Sequence, residues 1–525
     1  MAVTSKDSSQ DNTDGTAAST NFGISGGHGK VIDARDGSAG FHPSLQRSSE
    51  TLASPTEGKY PSWTPGAGEK KSHYILRVLT EGHTVTDVAA AQIGQIMLTM
   101  PNAISKTGLS AGIVVSMVTA LLSLWTMYML SALYQERKRS LLKEGTWYEI
   151  DGKRRTVTQY HDVIGYHLGR TIGIFSQICI ALGLAGTGIA QASKTQTAHN
   201  VIACAGDMYY IDKTYSKRTY ELIFGSVLML FAFVPTFRHF RVLNIIALFG
   251  TTFTALFILV QAGQEGIKPG AGATKPASAQ FFFLGTSVQM QAMGAHGIAL
   301  EMQDAMQDSS RYVAAYFGGW IYTILLTMPH SIAVNLAWPK LITKNDNVYG
   351  VLPVTPAMRV SVWLMIIHQF VAFALYVTPL LYMIEKVVRL HHARWWIRLP
   401  ARLPGALVIF FLGVAFPFYG TINSLMGAIS VPTTSFVLPA VAFNWYYRTE
   451  ARRKASALPP YSPFNKLGWK VAFALNYFIM VVYAAFTVGG IFFSIQRIVQ
   501  QSYTFGIFAE CYQCPVLSNG GNHYG

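Results

Sequence analysis

The stretch Phe283–Met306, FLGTSVQMQAMGAHGIALEMQDAM, is long and apolar enough to cross a bilayer, yet its middle is interrupted. Gly294, Ala295, His296 and Gly297 stand at its centre, and Glu301 follows. Two glycines around a histidine weaken a helix where lipid offers no water to freed backbone groups. Irregular backbone at membrane depth is tolerated only when it is buried in protein or lines a wet cavity. The bland alternative is an intact helix with one satisfied histidine. An ionisable residue within a span marks a functional site by default, so the interrupted reading leads. Discontinuous helices of this kind build midplane binding sites in secondary transporters.

The composition around this stretch agrees. Half of the 525 residues are apolar and only 13% are charged, against about a quarter in soluble proteins. Mean hydropathy is +0.28. Apolar runs of about twenty residues recur along most of the chain, which predicts an all-α polytopic membrane protein. The net charge of +15 does not point to nucleic acid, because Lys and Arg sit in short loops between spans. Four cysteines are too few for a disulfide scaffold. One CxxC, Cys511 and Cys514, with no second pair or nearby histidines is a weak zinc signal, so no metal is expected. With so polar a start, no cleavable signal peptide is expected. Residues 1–72, rich in Ser, Thr, Gly and Asp, cannot bury a core and are expected to be a disordered cytosolic tail.

A transmembrane domain is expected over 73–497, followed by an extracellular tail, 498–525. Eleven transmembrane helices are expected at 86–104, 109–133, 172–196, 219–236, 242–263, 283–306, 312–336, 358–385, 403–424, 425–447 and 470–495. With the N-terminus inside, the loops 134–157, 238–241, 386–402 and 448–470 hold 20 Lys and Arg, against 7 in the external segments 200–218, 264–280 and 337–357. The positive-inside rule therefore puts the N-terminus in the cytoplasm, and an odd span count puts the C-terminus outside. In span one Pro101 removes a backbone donor, so helices 1 and 6 are both expected to be broken. They stand five apart, as two inverted five-helix repeats plus one helix require, although no repeat shows in the letters.

Several stretches carry a resemblance to a known family. They are QIGQIMLTMPNAISKTGLSAGIV (92–114), GAHGIALEM (294–302), IHQF (367–370), AFPFYGTINS (415–424) and FGIFAECYQC (505–514). Between about Gly82 and Cys514 the chain resembles the plant AUX/LAX auxin influx carriers of the amino acid/auxin permease family. Neither membrane insertion nor helix packing demands the last two stretches, so they are the specific ones. The resemblance implies a LeuT/APC-like fold and proton-coupled import of indole-3-acetic acid at the plasma membrane, with a proton as coupling ion and no other cofactor. The chain departs from the family pattern at Asn102, where Tyr is expected, at Ala295, where Gly is expected, and at Thr421, where Pro is expected. ASKTQTAHN (192–200) has the character of an insertion. The altered pocket residues leave room for a ligand other than the plant hormone.

A carboxylate needs a cation or converging backbone donors, and the N-terminal end of a broken helix supplies such donors. The expected carboxylate positions are Met100–Asn102 and Gly294–Gly297. Candidate substrate-binding residues are Gln95, Thr99, Pro101, Asn102, Gln191, Gly294, His296 and Gly297. His296 and Glu301 are the candidate proton-coupling residues; about 140° apart round an ideal helix, they do not share a face. His368 and Gln369 are secondary candidates, with interhelical hydrogen bonding as the competing role of His368. Span counting puts Cys204 with Cys511 and Cys514 on the oxidising side, where a disulfide from Cys204 to one of the pair, or between the pair, is expected and Cys179 stays free. The partners expected are an aromatic weak acid, protons and membrane lipid, in a monomer. A neutral amino acid permease of the same fold is the competing reading, and it would need a fixed group for the substrate amine. No HExxH occurs, so no zinc-hydrolase site is read and an enzyme is not expected.

Overall fold

The computed structural model describes residues 84–94, 96–144, 157–189, 199–231, 241–272, 275–306, 308–390, 393–415, 419–456, 458 and 462–502. The expected disordered tail, the C-terminal tail, Gln95 and Gln191 lie outside these residues. The described residues form helices and no strand. Helix α1 spans 84–93, followed by α2 (Ile96–Thr107) and α3 (Leu109–Lys143). After α4 (Tyr160–Leu168) come α5 (Arg170–Ile189), α6 (His199–Ile211), α7 (Lys217–Phe231) and α8 (Arg241–Glu265). The interrupted stretch forms α9 (Ala279–Ala292) and α10 (His296–Ala305). Then follow α11 (Tyr312–Ala337), α12 (Pro339–Lys344), α13 (Pro356–Val387), α14 (Trp395–Ala415) and α15 (Tyr419–Val431). A π-helical segment (Pro432–Val437) joins α15 to α16 (Leu438–Tyr446), and α17 (Glu450–Lys454), α18 (Pro463–Leu467) and α19 (Trp469–Ser502) are the last of the described helices.

Six helical segments among the described residues are long and apolar enough to cross a membrane: Leu109–Lys143, Leu243–Glu265, Ser309–Ala337, Pro356–Val387, Gly427–Tyr446 and Trp469–Gln500. They establish a multi-pass helical membrane protein. Small residues set how closely α9 is gripped. A Cβ on Gly285 would lie 2.6 Å from the Ala103 carbonyl of α2, and one on Gly427 would lie 2.6 Å from the Ser287 carbonyl. Such positions let helix backbones meet where lipid provides no hydrophobic drive.

Two expectations are corrected. The first helix is not broken at Met100–Asn102, because Pro101 sits inside α2. The interruption lies at Gly94, whose φ of +26° ends α1. Proline deletes one hydrogen bond, whereas the turn at Gly94 redirects the backbone itself. The boundary between spans nine and ten also moves, because α15 begins at Tyr419 rather than 425 and α14 begins at Trp395 rather than 403. The external segment 200–218 is mostly the helix α6. Its Cys204 is a buried thiol, unbridged among the described residues, whose sulfur lies 4.0 Å from the Ile366 carbonyl. Cys179 is also an unbridged thiol among the described residues, and Cys511 and Cys514, the expected disulfide partners, lie outside them.

The basic loops are less open than their composition implies. Arg402 is buried, and its Nε holds the buried Glu385 carboxylate at 2.7 Å, as does Nη2 of Arg398. Guanidinium groups on the first turns of α14 thus neutralise a carboxylate at the end of α13.

Candidate functional site

The site grows from the α9–α10 interruption. Helix α9 starts on Ser278, whose hydroxyl accepts from the Phe281 N–H, and ends at Met293. The Gly294 N–H returns to the Gln291 carbonyl, and α10 opens at His296 with no side-chain cap on its first turn. Gly294 is not in the left-handed region. It is required by packing, since a Cβ there would lie 2.6 Å from Cγ1 and 2.9 Å from Cγ2 of Val431 on α15. Gly297 has more room, with Ile180 3.7 Å from its notional Cβ.

His296 is fully buried. Its Nε2 lies 3.0 Å from Thr126 Oγ1 of α3, and its Nδ1 has no hydrogen-bond partner among the described residues. Two aromatic rings flank it, Tyr316 at 6.3 Å and Phe436 at 6.1 Å between centroids. Phe436 comes from the π segment, where the Leu438 N–H reaches five residues back to the Thr433 carbonyl. Such widened turns re-aim side chains and recur at functional sites. Phe436 is backed by Tyr483 of α19, stacked at 3.8 Å with 5° between planes.

A polar relay joins the two interruptions. Gln92, near the end of α1, donates to the Tyr316 hydroxyl at 2.8 Å and accepts from Thr323 at 3.0 Å. Tyr316 meets Ser123 at 3.0 Å, and Ser123 donates to the Met293 carbonyl at 2.8 Å. Carbonyls at a helix C-terminus lack intrahelical donors, and Ser123 supplies one to α9. The Tyr376 hydroxyl likewise caps the Ala91 carbonyl of α1.

Residues 78–496 match the family described as transmembrane amino acid transporter protein. This chain is a member of that family. Auxin transporter-like protein 1 of Oryza sativa subsp. japonica is 33% identical over 86% of this chain and 89% of the relative. Auxin transporter-like protein 1 of Medicago truncatula is 32% identical over 88% and 93%. Auxin transporter protein 1 of Arabidopsis thaliana is 32% identical over 84% and 89%. Within the family the chain is therefore an AUX/LAX-type permease, a membrane transporter of the auxin type and not an enzyme. A crystal structure of the Eremococcus coleocola manganese transporter, bound to an aromatic bis-isothiourea compound, covers 83% of this chain and 97% of that chain. Its TM-score is 0.45 at 13% identity, a likeness that decides nothing about fold or cargo.

In this AUX/LAX-type permease, Gly294, His296 and Gly297 share the α9–α10 interruption. Glu301 lies on another face, where Oε1 accepts from Gln159 of α4 at 3.0 Å and Oε2 has no partner among the described residues. Gln159 also donates to the Pro379 carbonyl of α13, so Glu301 meets α4 and α13 while His296 meets α3. Thr99 bonds its own helix at Ile96. Asn102 donates to the Ile342 carbonyl at 2.7 Å, and the Pro101 carbonyl accepts from Asn335 at 2.8 Å; both link α2 to its neighbours α11 and α12. His368 reaches the Ala247 carbonyl of α8 through Nδ1 at 3.3 Å, while its Nε2 faces the first interruption, 3.5 Å from a notional Gly94 Cβ. Gln369 is buried. Sequence reasoning missed Thr126, Tyr316, Ser123 and Phe436. For Phe436 the available signal was the pair Pro432 and Pro439 bracketing it; for the others the partners are distant in sequence.

Proposed function

We propose that this permease imports indole-3-acetate, or a related aromatic carboxylate, together with protons across the plasma membrane. The observation that carries this reading is the uncapped first turn of α10 at His296, whose buried Nδ1 is unpartnered beside Phe436 and Tyr316. Unsatisfied N–H groups and the positive end of a helix favour an anion, and aromatic walls favour an indole ring. His296 with a proton on Nδ1 would donate to the carboxylate. The buried, unpartnered Oε2 of Glu301 is a second acceptor for a coupling proton.

The reading includes eleven spans in two inverted five-helix repeats plus one, a cytoplasmic N-terminus, an extracellular C-terminus and a monomer. Interruptions at Gly94 and at Met293–Ala295 support the repeat, and the Lys/Arg asymmetry supports the orientation. A second reading, a proton-coupled neutral or aromatic amino acid permease, draws on the family's description and on Glu301 Oε2 as an acceptor for an ammonium group.

The test is uptake of radiolabelled indole-3-acetate in a heterologous cell at several external pH values, with and without a protonophore and sodium. Uptake that rises as external pH falls and collapses with protonophore is expected. Uptake indifferent to pH but dependent on sodium would overturn proton coupling. Abolition of uptake by excess tryptophan would favour the amino acid reading.

A further inference from the structure

His330 lies on α11, is fully buried and belongs to neither helix interruption. Its Nδ1 is 2.6 Å from the Leu326 carbonyl and its Nε2 is 3.0 Å from the Met97 carbonyl of α2. The Ser331 hydroxyl stands 3.4 Å from the same Nε2. Carbonyl oxygens only accept, so both ring nitrogens must carry hydrogen for both contacts to be favourable. A neutral imidazole leaves one nitrogen lone pair facing a carbonyl lone pair.

The Met97 carbonyl needs this donor because of Pro101. In α2 the N–H four residues on would serve Met97, and that residue is proline, which has none. A carbonyl buried at membrane depth without a donor is costly, and His330 Nε2–H fills the place. The same seam carries Asn335 donating to Pro101 and Thr323 bonding Gln92, neither of which titrates.

We propose that His330 is a proton-binding residue of the transport cycle whose proton clamps the half-helix α2 to α11. Protonated, it bridges Leu326 and Met97. Deprotonated, it loses one bridge and loosens α2, the half-helix that runs on from the Gly94 interruption.

The other charged groups on the elements around α11 are engaged elsewhere. Asp87 of α1 accepts from Asn244, Lys106 of α2 holds Asp346 at 2.9 Å, and Glu265 of α8 holds Lys268 at 2.7 Å. The cations of α3 lie at the opposite end of α11, where Lys138 bonds Ser309. Lys340 and Lys344 on α12 are exposed. The Tyr316 hydroxyl meets Gln92 and Ser123, and the Tyr322 hydroxyl meets Thr252. None of these bonds the imidazole, whose partners are the two carbonyls and Ser331.

This inference rests on proton-driven import of indole-3-acetate, so the experiment separates the two. Purified protein in liposomes is assayed for uptake of radiolabelled indole-3-acetate driven by an inward proton gradient, and for exchange against internal unlabelled indole-3-acetate without a gradient. Wild type that shows exchange but no driven uptake overturns the import reading itself. With wild type driven, His330→Gln, which has a donor but takes up no proton, is expected to keep exchange within about threefold and lose driven uptake at least tenfold. Driven uptake at the wild-type level in that variant, or parallel loss of exchange and driven uptake in folded protein, overturns the proposal. Pro101→Ala restores the N–H to Met97 and removes the need for Nε2–H. The pH midpoint of driven uptake is then expected to move about one unit towards acid, a tenfold lower proton affinity. An unmoved midpoint, or one moved towards base, overturns the proposal even where His330→Gln fails to fold.

Discussion

The interruptions at Gly94 and at Gly294 look alike in sequence, each a glycine within two residues of a polar side chain, and they have different causes. Gly94 is in the left-handed region, with 3.5 Å between its notional Cβ and His368 Nε2, so space is available and backbone shape is the constraint. Gly294 has an ordinary φ and no space, because Val431 occupies the position a methyl would take. One break is made by its own backbone and the other by a neighbouring helix. A conformational break persists whatever α15 does, whereas a packing break is tied to the position of α15. The second interruption is therefore the one that movement of α15 would reshape.

Substitutions can separate the two, and the largest effect is expected at the second break. His296→Ala removes the proposed donor to the carboxylate, worth roughly 1.5–3 kcal/mol. Binding of indole-3-acetate to purified protein should weaken about tenfold to a hundredfold, with protein level near wild type. Unchanged affinity would move the anion site away from α10.

Gly294→Ala comes next. Its methyl must displace a β-branched side chain, an overpacking cost of about 1–3 kcal/mol. Thermal unfolding in detergent should shift down by several degrees, and Val431→Ala in the same chain should restore most of the loss. Absence of rescue would show that the break is conformational after all.

Ser123→Ala leaves the Met293 carbonyl without its donor, at about 1 kcal/mol. It should lower stability and also alter indole-3-acetate affinity, because the relay through Tyr316 ends there. A variant stable and binding as wild type would detach the relay from the site.

Gly94→Ala should be the mildest, costing about 1 kcal/mol of backbone strain. His368→Ala should not rescue it, since steric room is already present. Rescue would mean that the two breaks share one cause.

What could be read from the chain beforehand follows the range of the interactions involved. The membrane class and the second interruption were legible because hydropathy and the Gly-Ala-His-Gly run are local. The first interruption was misplaced for a non-local reason. Pro101 looks like a helix breaker until His330, far along the chain, is found serving the carbonyl it frees. The Gln92–Tyr316–Ser123–Met293 relay joins four helices and no short window contains it. Gln159, the partner of Glu301, sits between the basic loop 134–157 and the span expected at 172–196, where no element was expected. Thr99 and Asn102 were expected beside a carboxylate at a break over Met100–Asn102, but their side chains bond backbone carbonyls of α2 and α12.

Helix α19 carries a consequence for protein engineering. Only about a fifth of its most apolar window, 22%, is buried, and in an inverted-repeat plan it is the unduplicated helix. It is the obvious segment to trim from a minimal carrier. Yet Tyr483 sets the plane of Phe436, and Asn476 ties the helix to Trp125 of α3 and Asn444 of α16. A chain cut before Trp469 would keep every candidate ligand-binding residue and lose the surface that orients their aromatic wall. Helix α19 is a buttress, and a shortened carrier would need a replacement ring where Tyr483 stands.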